Sequence, residues 1–152
     1  MEPTNAACIK VGNLRKHGYS DLDAWFKDRQ NVYTGRRGRI WIFDGKGNKT
    51  IYHYKSSKWA NPFKVTKTTS AQKAVREYFY YLIKSGLIND IEELRGKTLG
   101  CFCTAEPCHA ILLADILNNG LENVQEDIEA ESDEENQETE KEEQEEEKKH
   151  FH

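Results

Sequence analysis

The sequence predicts an α/β fold over residues 1–120: a small mixed sheet flanked by helices, carrying an inserted β-hairpin and followed by a disordered acidic C-terminal tail at residues 121–152. Three observations predict it. Strand-like and helix-like periodicities alternate along the first 118 residues, as in α/β layer structures. Two β-rich runs flank the polar, glycine-containing segment Asp44-Gly45-Lys46-Gly47-Asn48-Lys49, a hairpin signal because glycine supplies the positive φ of such turns. Composition breaks at residue 121, after which fifteen Asp/Glu stand against Lys141, Lys148 and Lys149, a net of about −12.

Taken in order, residues 8–14 alternate apolar and polar well enough for a first strand. Ser20 with Asp23 resembles a capping box opening a short helix through Trp25 and Phe26 toward Gln30. Residues 31–34 read as a strand, and residues 39–43 and 50–54 as the hairpin arms. Ser70 caps a helix over residues 71–85 that Gly86 closes. On it Val75, Tyr78, Phe79 and Leu82 share the core-facing side. Arg95-Gly96-Lys97 is a turn, residues 98–103 a strand, and Pro107 suits the first turn of a largely apolar helix reaching Asn118. The Glu-rich residues beyond 121 have too few large apolar side chains to offset the entropy of ordering, so disorder is expected, with a Glu/Lys-rich helix over part of them, marginal on its own, as the alternative.

Charge and cysteine usage narrow the function classes. Residues 1–120 hold nineteen Lys/Arg against eleven Asp/Glu, about +8, which favours an anionic partner such as a nucleotide, a nucleic acid or a phosphorylated ligand. A solvated lysine-rich surface explains the same count. The acidic tail is expected to compete for that basic face. No apolar run approaches the roughly 20 residues that span a bilayer, and Met1-Glu2-Pro3-Thr4-Asn5 has no signal-peptide pattern. The expected location is therefore intracellular, cytoplasmic or nuclear, with reduced cysteines.

Cys101, Cys103, Cys108 and His109 form the most informative cluster. Cys101 and Cys103 share a strand face, and a short loop brings Cys108 and His109 at the following helix start back toward them. Four readings fit. Cys₃His is an accepted zinc ligand set, with Cys101, Cys103, Cys108 and His109 as the metal donors. Cys103 or Cys108 can act as a thiolate nucleophile with His109 as acid/base. Backbone N–H groups at the helix start can hold an anion. Buried cysteines can also be simple packing residues.

Two further segments carry candidate ligand contacts. Ser56-Ser57-Lys58-Trp59-Ala60-Asn61-Pro62-Phe63 is a loop, in which Ser57, Lys58 and Asn61 are polar candidates and Trp59 is either a core anchor or a stacking face for a base. Gly35-Arg36-Arg37-Gly38-Arg39 is a compact basic turn suited to phosphate or simply exposed. A binding module would hold its nucleotide among Arg15, Arg36, Lys58, Asn61 and the start of the Cys108 helix.

Val11-Gly12-Asn13-Leu14-Arg15, Val32-Tyr33-Thr34-Gly35-Arg36, Ser57-Lys58-Trp59-Ala60-Asn61-Pro62-Phe63 and the stretch from Leu94 through Cys101-Phe102-Cys103 to Pro107-Cys108-His109 resemble, in this order, the motifs of the domain of unknown function 4326 family. That family occurs in phages, bacteria, large DNA viruses and some eukaryotes. The resemblance implies a small α/β domain and transfers no activity. The chain departs from the family pattern at Ala60 and Ala110, where glycine is usual, and in the hairpin of residues 38–55 inserted between two motifs. The Cys103, Cys108, His109 part is also similar to the C-terminal signature of the domain of unknown function 488 family. Three classes follow: a nucleotide- or nucleic-acid-binding module, a cysteine-dependent enzyme on a nucleotide-like substrate, and a zinc-stabilised interaction module.

Overall fold

In the computed structural model, which describes residues 2–43, 45–102 and 108–132, the central strand is β5. The strands are β1 (Asn5–Cys8), β2 (Asn31–Tyr33), β3 (Gly38–Phe43), β4 (Lys49–Tyr54) and β5 (Thr98–Cys101). The helices are α1 (Val11–Lys16), α2 (Leu22–Lys27), α3 (Ala71–Lys84) and α4 (His109–Asn119), with a 3₁₀ segment at Leu87–Leu94. The fold is α/β with a small sheet and flanking helices. β1, β5 and β2 form a parallel sheet in that order, and β3 and β4 pair antiparallel as a separate hairpin. Register runs Asn5↔Thr98 to Cys8↔Cys101 on one side of β5, and Asn31↔Thr98 to Tyr33↔Gly100 on the other. No described helix is long and apolar enough to cross a membrane.

Gly100 shows why β5 can be central. A Cβ there would sit 2.3 Å from the Trp25 ring and 2.7 Å from the Ile9 side chain, so α2 packs directly on the strand backbone. Ile9, Leu14, Leu22 and Trp25 form the buried core on that face. Leu99 and Cys101, one residue either side of Gly100, face the opposite way, and Cys101 there meets the start of α4.

Local sequence accounts for most helix boundaries. Ser70 accepts the Lys73 N–H at 3.1 Å, Gly86 turns the chain at φ +79°, and Ala74, Tyr78, Phe79 and Leu82 bury one face of α3. Val75 is half-buried. α2 begins one residue later than the Ser20 box predicts, because Asp21 is the cap and accepts the Ala24 N–H at 2.8 Å. The predicted strand at residues 8–14 is overturned: the strand is Asn5–Cys8, and Val11–Lys16 is helical. Alternation there straddled a strand end and a helix start, and Val11 with Leu14 has helical spacing as well.

By contact density the chain divides into Met1–Asn118 and Asn119–His152. Residues 121–132 are helical, where composition predicted disorder from residue 121. Gly120, at φ +96°, ends α4 in the left-handed conformation, and Val124 N–H bonds the Gly120 carbonyl at 3.3 Å. Leu121, Val124 and Ile128 give the segment a helical apolar spacing that its charge obscured. The rest of the tail, residues 133–152, lies outside the described residues.

Candidate functional site

The C-terminal ends of β2 and β5 open onto a cleft of about 400 Å³ lined by residues of β2, β4, β5, α3, α4 and the loops between them. Clefts at this edge of parallel sheets are the usual ligand position in α/β folds, and the volume lies in the range of small-molecule sites. One wall is aromatic. Tyr33, Tyr54 and Phe102 line it, with ring centroids 5.3 to 6.1 Å apart. The facing wall is Phe63, Val65, Ala71, Ala74 and Val75. The polar groups are Arg36, Arg37, Asn61 and the Cys101, Cys108, His109 group.

Cys101 ends β5 and Cys108 immediately precedes α4, its carbonyl accepting the Leu112 N–H at 3.1 Å. Their Sγ atoms are 3.1 Å apart and both residues are buried. At that separation the two sulfurs are not bonded to one another. The sheet register pairs Cys8, half-buried, with Cys101. Cys103 and Pro107 lie outside the described residues, so the nucleophile and metal-donor roles assigned to Cys103 have no geometry. Among the described residues, no group of three His/Cys/Asp/Glu side chains is arranged to hold a metal ion.

His109 opens α4 and is 7% exposed. Its Nε2 lies 2.6 Å from the Thr34 carbonyl. A carbonyl only accepts, so Nε2 carries the proton, and in the neutral ring Nδ1 is then the basic nitrogen. Nδ1 lies 4.0 Å from Cys108 Sγ. The edge of the Tyr78 ring packs on the imidazole, with centroids 5.3 Å apart. Tyr78 donates to the Trp59 carbonyl at 2.6 Å, and burial pushes its phenol pKa well up, so it stays neutral. The imidazole is thus held by its Thr34 contact with Nδ1 toward the Cys108 thiol, at the outer limit of a hydrogen bond to sulfur.

Arg36 Nε and Nη2 both donate to the Asn61 carbonyl, at 3.0 and 2.7 Å. This clamp holds the guanidinium at the cleft edge. Asn61 is 8% exposed, and its side chain accepts the Phe63 N–H at 2.9 Å and donates to the Ala74 carbonyl at 3.4 Å. Its amide therefore shapes the cleft wall. Arg37 is exposed, with its backbone N–H on Ser56 Oγ at 2.8 Å.

Four predicted ligand contacts stand elsewhere. Trp59 is 2% exposed and its Nε1 donates to Glu93 at 3.0 Å, so its ring is a core anchor and the stacking reading is corrected. Lys58 ion-pairs with Glu93 at 2.8 Å and Asp90 at 3.3 Å, and the Glu93 carboxylate raises its pKa. Ser57 bonds the loop to itself, accepting the Trp59 N–H at 3.0 Å, and donates its own N–H to the Gly35 carbonyl at 2.9 Å. Arg15 is exposed in the last turn of α1 and does not line the cleft. Sequence reasoning missed Thr34, Tyr54, Phe63 and Phe102. Thr34 acts through its carbonyl, which no side-chain pattern reveals, and the three rings converge from separate elements.

Fold and site together define a small α/β domain with a cysteine–histidine floor to an aromatic-walled cleft. The chain belongs to the family described as domain of unknown function 4326, whose model matches residues 19–119. The Val11-Gly12-Asn13-Leu14-Arg15 segment precedes that match. An uncharacterized protein of Acanthamoeba polyphaga mimivirus is 36% identical over 94 residues, which is 57% of this chain and 65% of that protein. An uncharacterized 12.4 kDa protein in the nrdA-td intergenic region of Enterobacteria phage T4 is 41% identical over 51 residues, 32% of this chain and 47% of that protein. The chain therefore spans just under two thirds of the one relative and under half of the other. No solved structure matches it.

Proposed function

We propose that this domain binds a nucleotide, or a nucleotide-like phosphorylated ligand, in the cleft at the C-terminal edge of the parallel sheet. The supporting observation is the pairing of an aromatic wall (Tyr33, Tyr54, Phe102) with two adjacent arginines, Arg36 and Arg37, around one 400 Å³ space. A flat base gains by stacking on the rings. A phosphate gains charge-assisted hydrogen bonds from guanidinium groups, and Arg36 is already oriented by its Asn61 clamp. Titration calorimetry with nucleosides and their mono-, di- and triphosphates tests this. Phosphorylated forms are expected to bind tighter than the bare nucleoside, and Arg37→Ala to weaken them about tenfold or more, the worth of a charged hydrogen bond. Equal affinity for nucleoside and nucleotide, or an Arg37→Ala protein that binds like the parent, contradicts the proposal.

A second reading, a cysteine-dependent enzyme on the same ligand class, is favoured by the His109 tautomer. Nδ1 is the nitrogen that would take the Cys108 proton while Nε2–H stays on the Thr34 carbonyl. Cys108 would then attack an electrophilic carbon of the bound ligand, the new C–S bond forming as the bond from that carbon to its leaving group breaks, with the proton on Nδ1 passing to the departing atom. Trapping of a covalent adduct on Cys108, by mass spectrometry after incubation with nucleotides, separates this reading from simple binding.

A further inference from the structure

We propose that the outward face of the β3–β4 hairpin is a binding surface for single-stranded nucleic acid, adjoining the cleft and meeting it at Arg37. Register decides which side chains that face presents. Ile40 and Tyr54 pack inward on the Ile9, Leu14, Leu22, Trp25 core, and the Tyr52 ring lies 6.0 Å from that of Phe26. The alternate cross-strand pairs, Arg39↔His53 and Trp41↔Ile51, therefore face outward. Trp41 is 56% exposed and Ile51 38%, an apolar cost that folding of the hairpin does not require.

The surroundings of Trp41 are cationic. Lys49 Nζ sits 5.0 Å from the Trp41 ring centroid. Beyond the Arg39–His53 pair a shallow groove continues along Arg37, Arg39, His53 and Lys55. Residues 36–58 contain seven Lys/Arg and, as their sole acidic residue, Asp44. Lys58 is committed to Glu93 and Asp90 and is not part of the surface.

An exposed indole beside a line of cations matches a chain of phosphates bearing accessible flat rings. Bases of a single strand stack on an aromatic side chain while the phosphates track the positive groove. A duplex keeps its base faces covered and would meet the cations alone, and an acidic peptide supplies charge with no ring to stack. RNA and DNA strands share this chemistry, and the test below compares them.

Fluorescence anisotropy of labelled oligouridylate and oligothymidylate of about 12 nucleotides, enough to fill one such site, is measured with the full chain. Saturable binding is expected, tighter than to a duplex of equal length. With about three phosphate contacts, log affinity should fall against log salt with a slope near −2. Trp41→Ala should weaken binding about tenfold, the effect of one stacked base, and Arg39→Ala should flatten the slope by about 0.7. Both side chains are exposed, so circular-dichroism melts should match the parent. No binding at about 50 mM salt, variants that bind like the parent, or equal affinity for duplex overturns the proposal. Mononucleotide titration of the cleft should be unaffected by Trp41→Ala, so the two readings fail separately.

Discussion

Replacing His109 with Phe tests both the architecture and the chemistry of the cleft floor. The substitution keeps a flat aromatic ring, somewhat larger than imidazole, for the contact with Tyr78, while the Nε2–H that Thr34 accepts at 2.6 Å is lost. Thr34 is fully buried, with its own N–H and hydroxyl both on the Gly100 carbonyl at 2.9 and 3.0 Å, so its carbonyl cannot turn to water without breaking the β2–β5 edge. Leaving a buried carbonyl without its donor costs about 1–3 kcal/mol. For a domain of this size that lowers Tm by about 4–15 °C, readable by circular dichroism. The substitution also removes Nδ1 from beside Cys108 Sγ. Alkylation of Cys108 by iodoacetamide at neutral pH, followed by peptide mass spectrometry below the melting range, should slow relative to the parent. An unchanged Tm would refute the hydrogen-bond argument. An unchanged alkylation rate would refute the assignment of His109 as the thiol's base.

Gly100→Ala places a methyl 2.3 Å from the Trp25 ring, inside a core that cannot widen without parting α2 from β5; a loss of about 1–3 kcal/mol in urea unfolding is expected, and an unperturbed midpoint contradicts the packing. With oxidised glutathione, Cys101 and Cys108 should each lose a proton and together two electrons, giving one disulfide and two reduced glutathiones. Their sulfurs need close only from 3.1 Å to about 2.05 Å, and peptide mapping that finds both thiols intact contradicts this. The Tyr19 hydroxyl and the Gln30 N–H, bonded to Asp28 at 2.7 and 3.0 Å, hold that carboxyl below its ordinary pKa. A depressed pKa contributes stability above the unfolded value and loses it as pH falls through the folded one. Asp28→Asn should therefore flatten the acid limb of the stability profile below about pH 4, and an unchanged limb would remove the assignment.

How much was legible in the sequence follows the range of the interactions involved. The α3 boundaries and the hairpin were readable because Ser70, Gly86 and the Gly45–Gly47 turn act within a few residues of themselves. The approach of Cys101 to Cys108 and His109 was also readable, since a strand end and the next helix start cannot be far apart when the loop is short. The rest depends on non-local packing. Trp59 and Lys58 carry the residue types of a ligand loop, yet the 3₁₀ segment at Leu87–Leu94, which has no strong sequence signal, places Glu93 and Asp90 where they occupy both. Arg36 kept its place at the cleft because its partner is a backbone carbonyl at its edge. The helix at residues 121–132 was masked by acidic residues that dominate composition while leaving Leu121, Val124 and Ile128 in helical spacing.

The claim most exposed to test is that the aromatic-walled space above Cys101, Cys108 and His109 receives a nucleotide. Amide chemical shifts of isotope-labelled protein, followed while a nucleoside triphosphate is added, address it residue by residue. Saturable changes concentrated at Gly35, Arg37, Tyr54, Phe102 and His109, all lining that space, are the predicted result. Shifts absent up to millimolar nucleotide, or confined to residues away from β2, β5 and the start of α4, would contradict it.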